Sequence, residues 1–152
     1  MTAARVLIVD DDQVARKNLV RIFSRQGYDT VQAGSGAEAV RQVSEGGIDL
    51  VITDLVMDEM NGLELLSRIR DTDPAIEVIV VTAYASIATA IEATKKGAYH
   101  YLEKPFRPEA VTHLAQQAIE KSRLRKKVSE LETRLQSHRQ EPALIGESPE
   151  IR

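Results

Sequence analysis

Apolar positions along this chain follow two alternating rhythms. Near-continuous runs rich in β-branched residues occur at RVLIVD (5–10), DLVITD (49–54) and EVIVVTA (77–83), with a weaker run at YDTVQAG (28–34) and a short one at AYHYLEKP (98–105). Runs without polar alternation suit strands covered on both faces, as in a parallel sheet. The segments between them carry helical spacing: Leu19, Ile22 and Phe23, then Ala39, Val40 and Val43, then Leu63, Leu66 and Ile69, then Ile87, Ala90 and Ile91.

The punctuation agrees with that division. Ser35 with Glu38 reads as a capping box opening the second helix, and Gly46-Gly47 closes it. Asp73-Pro74 ends the third helix, Gly97 caps the fourth, and Pro108 suits the first turn of a fifth. Consecutive β-α units of this kind predict a doubly wound α/β domain over residues 1–121.

Beyond that point the texture changes. Residues 122–140 contain neither Gly nor Pro and are dense in charge, while Leu124, Val128, Leu131 and Leu135 repeat at 4-3-4 spacing. That is the seam of a coiled coil, so 122–141 is expected to be a linker helix through which the chain forms a homodimer. The run KSRLRKK (121–127) is read as the solvated face of that helix. Glu141-Pro142 breaks it, and residues 142–152, ending in LIGESPEIR, begin something new.

Composition narrows the chemistry. With 152 residues, 43% hydrophobic and 28% charged, the chain has enough apolar content for one sizeable core. A net charge of -3 gives no electrostatic support for direct nucleic-acid contact. The absence of cysteine removes disulfides, thiolate metal sites and a cysteine nucleophile. His100, His113 and His138 lack metal-ligand spacing. No signal peptide or membrane span is evident, so a cytoplasmic location is expected.

What remains is a concentration of carboxylates where like charges ought to repel. Asp10 and Asp11 end the first apolar run and Asp54 ends the third. In open parallel sheets ligands gather at the carboxyl ends of strands where the strand order reverses, and in the order 2-1-3-4-5 these two strands are neighbours there. Acids at the start of a helix complement its dipole, which accounts for Asp12 and one more, but not for Asp54 on another strand. A divalent cation with a preference for hard oxygen ligands, Mg2+, offsets the repulsion. Thr82 ends the fourth strand and Lys104 follows the fifth. A hydroxyl and an ammonium beside carboxylates and a metal make a site for a phosphoryl group.

These residues, together with Thr82-Ala83 and Lys104-Pro105, resemble the response-regulator receiver domain over roughly residues 4–121. The resemblance implies a flavodoxin-like five-stranded parallel sheet of order 2-1-3-4-5, helices on both faces and an extended C-terminal helix. It implies Asp54 as phosphoacceptor from a sensor histidine kinase, with Mg2+ held by Asp11, Asp54, the Val56 carbonyl and, through water, Asp10. Lys104 would pair with the phosphoryl group, Thr82 would bond one of its oxygens, and Tyr101 would turn inward as an aromatic switch. The face built from the fourth helix, fifth strand and fifth helix, with Ile87, Ala88, Ala90 and Tyr99 as candidates, would respond and offer a second dimer surface. The Lys104-Pro105 bond is expected to be cis. One departure stands in the loop DLVMDEMNG: the family usually has proline where this chain has Asp58, which is expected to alter Mg2+ affinity or phosphoryl lifetime.

LIGESPEIR is similar to the opening of the AAA+ domain in sigma-54-dependent transcription activators of the nitrogen-regulation and dicarboxylate-transport type, and KKGAYHYLEKPF (95–106) resembles their receivers. The expected role is therefore a signalling switch that catalyses only its own phosphorylation and dephosphorylation and controls its own AAA+ domain. Three other readings stand beside it. A haloacid-dehalogenase-like phosphatase needs an aspartate two residues past the nucleophile, where this chain has Val56. A dinucleotide site at GSGAEA (34–39) follows the wrong strand, and a capped helix start explains the pattern. An inert pseudo-receiver serving only to dimerise would be separated by its failure to accept phosphate.

Overall fold

The protein, in the form of a computed structural model, is described over residues 3–140, with side chains to Leu135. Strands and helices alternate: β1 (Arg5–Val9), α1 (Gln13–Arg25), β2 (Asp29–Ala33), α2 (Gly36–Ser44), β3 (Leu50–Asp54), α3 (Gly62–Thr72), β4 (Glu77–Thr82), α4 (Ile87–Lys95), β5 (His100–Glu103) and α5 (Pro108–Gln140). Every strand pairing is parallel and the order is β2-β1-β3-β4-β5, as the sequence and its resemblance predict. The weak fifth run is a genuine edge strand paired to β4.

Period two along each strand divides the apolar residues between two layers. Val6, Ile8, Leu50, Ile52, Ile79 and Val81 face α1 and α5, meeting Leu19, Phe23, Val111 and Ala115. Leu7, Val9, Val51, Val78 and Val80 face the other side, against Ala39 and Val43 of α2, Leu66 and Ile69 of α3, and Ala93 of α4. None of these strand residues is more than 1% exposed, which is why their runs carry no polar alternation.

The helix ends follow their local chemistry. Asp12 opens α1 by accepting the Val14 N–H at 3.0 Å. Ser35 opens α2 by accepting the Glu38 N–H at 3.2 Å, but the Glu38 carboxylate accepts from Gly34 at 2.8 Å rather than from Ser35, so the expected capping box is displaced by one residue. Gly97, at φ 98°, reverses the chain after α4, a conformation that glycine adopts without steric cost.

Two expectations about exposure need correcting. Only Ala93 of α4 is buried; Ile87 and Ile91, which the helical spacing marks as core-facing, are 82% and 50% exposed. The spacing is helical, but the stripe it forms turns outward. The run at 121–127 is not simply a solvated face, because five of its residues are buried or bonded to the base of the sheet, as detailed below.

Helix α5 runs unbroken for 33 residues, about 50 Å at ~1.5 Å per residue. Leu124, Val128, Leu131 and Leu135 lie along it at 47–63% exposure, an apolar stripe that no part of this chain covers among the described residues. Glu141-Pro142 and LIGESPEIR lie outside the described residues. Among those described, no helix is long and apolar enough to cross a membrane.

Candidate functional site

Register brings the candidate residues to one edge of the sheet. Val9 pairs with Thr53, so Asp10 follows β1 directly beside Asp54 at the end of β3. Asp54 pairs with Val81, placing Thr82 one step beyond it on β4, and Thr82 pairs with Glu103, placing Lys104 one step beyond β5. The central position of β1 and β3 in the order makes their tips the switch point of the sheet.

Side chains converge there. One carboxylate oxygen from each of Asp10, Asp11 and Asp54 lies within 4.8 Å of the others. The Lys104 ammonium stands 3.2 Å from Asp10 Oδ2 and 3.8 Å from Asp54 Oδ2. Asp10 is wholly buried, and its other oxygen accepts the Asp12 N–H at 2.9 Å. Asp11 is exposed and accepts the Asp58 N–H at 3.2 Å. Asp54 Oδ1 accepts the Leu55 N–H at 2.8 Å. The Lys104-Pro105 peptide is cis, as expected.

The electrostatics favour a cation. Burial pushes the Asp54 carboxyl above its ordinary range; Lys104 pulls it down, Asp10 pushes it up, and the N–H groups of Leu55 and Val56 pull it down again, leaving it raised. One ammonium cannot balance three converging carboxylates. Hard oxygen donors grading from buried to exposed, with an open side toward solvent, fit Mg2+, which keeps part of its water shell.

The switch candidates are present but held apart. The Thr82 hydroxyl is buried and accepts the Tyr84 N–H at 3.0 Å. Tyr101 is half-buried, and its hydroxyl bonds the Thr89 hydroxyl at 2.6 Å and accepts the Ser86 N–H at 3.4 Å. Ser86 is the N-cap of α4, so Tyr101 is tied to that helix's first turn. Val56 and Tyr84, 51% and 71% exposed, flank the mouth of the site.

Several contributors escape a reading of the sequence. Arg16 reaches back from α1, donating to the Asp10 carbonyl at 2.7 Å and to Gln32 Oε1 at 3.0 Å, and so fixes the backbone between the first two acids. Gly62 packs so closely under the tip of β3 that a Cβ would overlap the Asp54 carbonyl oxygen. A glycine opening a helix just after the acid loop is the only trace of that contact in the sequence. The proline departure also has a visible consequence. Position 58 carries an N–H, which proline lacks, and that N–H is the donor to Asp11.

Residues 6–116 match the family model described as the response regulator receiver domain. The chain belongs to this family. It is 40% identical over 119 residues to the transcriptional regulatory protein GlrR of Escherichia coli, covering 78% of this chain and 27% of that protein. It is 34% identical over 150 residues to the regulatory protein AtoC of Escherichia coli, covering 98% of this chain and 32% of that one. The solution structure of the beryllofluoride-activated NtrC4 receiver domain dimer superposes with a TM-score of 0.74 at 34% identity, covering 78% of this chain and 98% of that one. This receiver domain thus spans between a quarter and a third of the length of these curated relatives.

Proposed function

We infer that Asp54 accepts a phosphoryl group from the phosphohistidine of a sensor histidine kinase. One carboxylate oxygen of Asp54 attacks phosphorus, the N–P bond breaks, and the imidazole leaves with the bonding pair. Asp11, Asp54 and the Val56 carbonyl would hold Mg2+ directly, and Asp10 through water. Bound there, the ion would neutralise charge on the phosphoryl oxygens and the converging carboxylates. Lys104 lies where it can pair with the phosphoryl group, and Asp10 keeps its ammonium aimed into the site. Thr82, whose hydroxyl oxygen accepts the Tyr84 N–H, would turn its free O–H to donate a hydrogen bond to a phosphoryl oxygen.

The chemistry serves a switch. Movement of Thr82 favours inward rotation of Tyr101, whose hydroxyl would then leave the first turn of α4. Both states pre-exist, and phosphorylation shifts their populations through these differential contacts. The exposed stripe of α4, with β5 and α5, and the seam along α5 are the two surfaces through which a homodimer forms. The AtoC likeness extends over residues that the receiver family model does not match. It supports a division into receiver (1–121), coiled-coil linker (122–141) and the start of an AAA+ domain (142–152). In the whole protein that domain would be a cytoplasmic sigma-54-dependent transcription-activating ATPase held or released by the receiver, with DNA contact made elsewhere.

The observation that carries this reading is the convergence of three carboxylates from two strand tips beside Lys104. Incubation with acetyl phosphate and Mg2+ should add a single phosphoryl group, detected by intact mass. The adduct should be absent in Asp54→Asn and in the presence of a chelator. Failure to label with any small phosphodonor would leave only the inert dimerising scaffold, and sustained turnover of phosphate esters would favour a phosphatase.

A further inference from the structure

The acid cluster at one end of the sheet has a counterpart at the opposite end, on β3 and its neighbour β4. Asp49 immediately precedes β3, and Glu77 opens β4; both are buried, at 8% and 1% exposure. Neither is paired within its own strand. Glu77 is met by Arg125 at 2.9 Å, Arg70 at 3.7 Å and Lys121 at 3.9 Å. Asp49 is met by Lys126 at 3.3 Å and Arg123 at 3.5 Å, and accepts the Arg5 N–H at 3.0 Å.

Four of those five cations come from one stretch of α5, residues 121–126, and several of them make further contacts. Lys121 also lies over the Tyr99 ring, 5.5 Å from its centroid. Ser122 is wholly buried against the body, its hydroxyl making no hydrogen bond within the described residues. Arg125 and Lys126 donate to the carbonyls of Pro74 and Ile48 at 3.3 and 2.8 Å. Only Leu124 turns away, at 63% exposure, and it is the first residue of the apolar seam. The stretch 121–126 itself lies beyond residue 116, where the match to the receiver family ends.

We propose that Asp49 and Glu77 form an ionic clamp for residues 121–126, making the root of the linker helix a rigid output arm of the receiver, with any hinge lying after Lys126. Swinging the helix off the body would take both Asp49 cations and two of the three Glu77 cations, leaving Glu77 only Arg70 at 3.7 Å, which is destabilising for buried carboxylates. The mechanical boundary of the domain therefore lies about five residues beyond the compositional one. Because Leu124 emerges from within the clamp, pairing of two seams fixes the angle between two receivers. A change at α4 then reaches the far end of the arm by re-pairing whole receiver bodies, not by bending at the domain boundary. The clamp needs no phosphate; only this last consequence rests on the receiver reading.

The test uses the absence of native cysteine. Spin labels at Cys-substituted Glu45 and Leu124, the exposed residue inside the clamped stretch, in protein diluted with unlabelled chain, report the distance from body to arm. A single narrow distribution is expected, unchanged by beryllofluoride with Mg2+ and unchanged in Asp54→Asn. Replacing Lys121, Arg123, Arg125 and Lys126 together by glutamine should broaden it and reduce amide-exchange protection of 121–126 at least ten-fold. Should the body fail to fold with the four cations gone, adding Asp49→Asn and Glu77→Gln removes the stranded charges, and the same broadening is expected; Lys127→Gln serves as the control and should change neither. A narrow distribution surviving the fourfold substitution overturns the clamp. A body-to-arm distance that shifts with beryllofluoride overturns the rigid arm. Failure of beryllofluoride to bind at all would count against the phosphoryl site while leaving the clamp standing on the substitution data.

Discussion

At the scale of single residues, the site depends on backbone placed as closely as side chains. Gly62 lies against the Asp54 carbonyl, and a Cβ there would also stand 3.0 Å from the Leu55 Cα. Both obstacles are backbone, so they cannot rotate away. Gly62→Ala should therefore cost about 2 kcal/mol of stability, within the usual range for overpacking. It should also slow phosphorylation by displacing the strand tip. Urea unfolding followed by circular dichroism, paired with a timed acetyl phosphate reaction, checks both effects. Arg16 makes the complementary case, since its guanidinium holds the Asp10 carbonyl and Gln32 at once. Arg16→Lys loses the fork that spans those two acceptors, so it should resemble Arg16→Met, each destabilising by about 1 kcal/mol in the same unfolding assay.

At the scale of elements, the Tyr101 hydroxyl is built into the start of α4. Tyr101→Phe should leave the sheet intact and loosen that turn by about 1 kcal/mol, some five-fold faster amide exchange over residues 86–91. Exchange unchanged there would show that Tyr101 is not coupled to the helix. The elements themselves are largely readable from the chain, because two-sided burial forces apolar runs and because glycine, proline and Asx or Ser caps mark helix ends chemically. What the chain conceals is the direction in which a helical stripe faces. Ile87 and Ile91 have the spacing of core residues, yet α4 rests on the body through Ala93, and nothing local records that. The acids of the phosphoryl site are legible because they interrupt apolar runs. Asp49 and Glu77 open the third and fourth apolar runs and look like ordinary strand flanks, since their partners on α5 are more than 40 residues away in sequence. The clamp has a signature in pH. Burial would raise the Asp49 carboxyl, but the Arg5 N–H, Lys126 and Arg123 together outweigh burial and hold it below the ordinary range. A depressed folded value means that Asp49 adds stability fully above the unfolded carboxylate value near ~3.9, and that this contribution disappears as pH falls through the folded value. Asp49→Asn should flatten the acid limb of a pH–stability profile below about pH 5 and do little to its slope above pH 6.

At the scale of the whole molecule, the decisive feature is an apolar stripe with no cover among the described residues. Leu124, Val128, Leu131 and Leu135 repeat at the spacing of facing helices, and a parallel partner would bury all four in both copies. Leu131 has 47% of its surface left to bury, about 1 kcal/mol per copy and ~2 kcal/mol per dimer. Leu131→Lys forfeits that and adds an ammonium to the seam, so the dimer should weaken at least about thirty-fold. Sedimentation equilibrium over a concentration series measures this directly. The substitution lies five residues past the clamp, so the body-to-arm geometry and the labelling of Asp54 should survive in the resulting monomer. If phosphorylation instead drives association through the α4 stripe alone, Leu131→Lys will still dimerise with beryllofluoride at the wild-type affinity. Ile87→Lys will then abolish that response, because Ile87 is the most exposed large apolar residue of that helix. If the seam supplies standing affinity and α4 supplies the phosphate-dependent increment, the two substitutions act separately. Leu131→Lys lowers affinity equally in both states, and Ile87→Lys removes only the difference between them. A rigid arm predicts instead that the two effects are coupled, since a seam whose direction is fixed to the body also sets how closely the two α4 faces can meet.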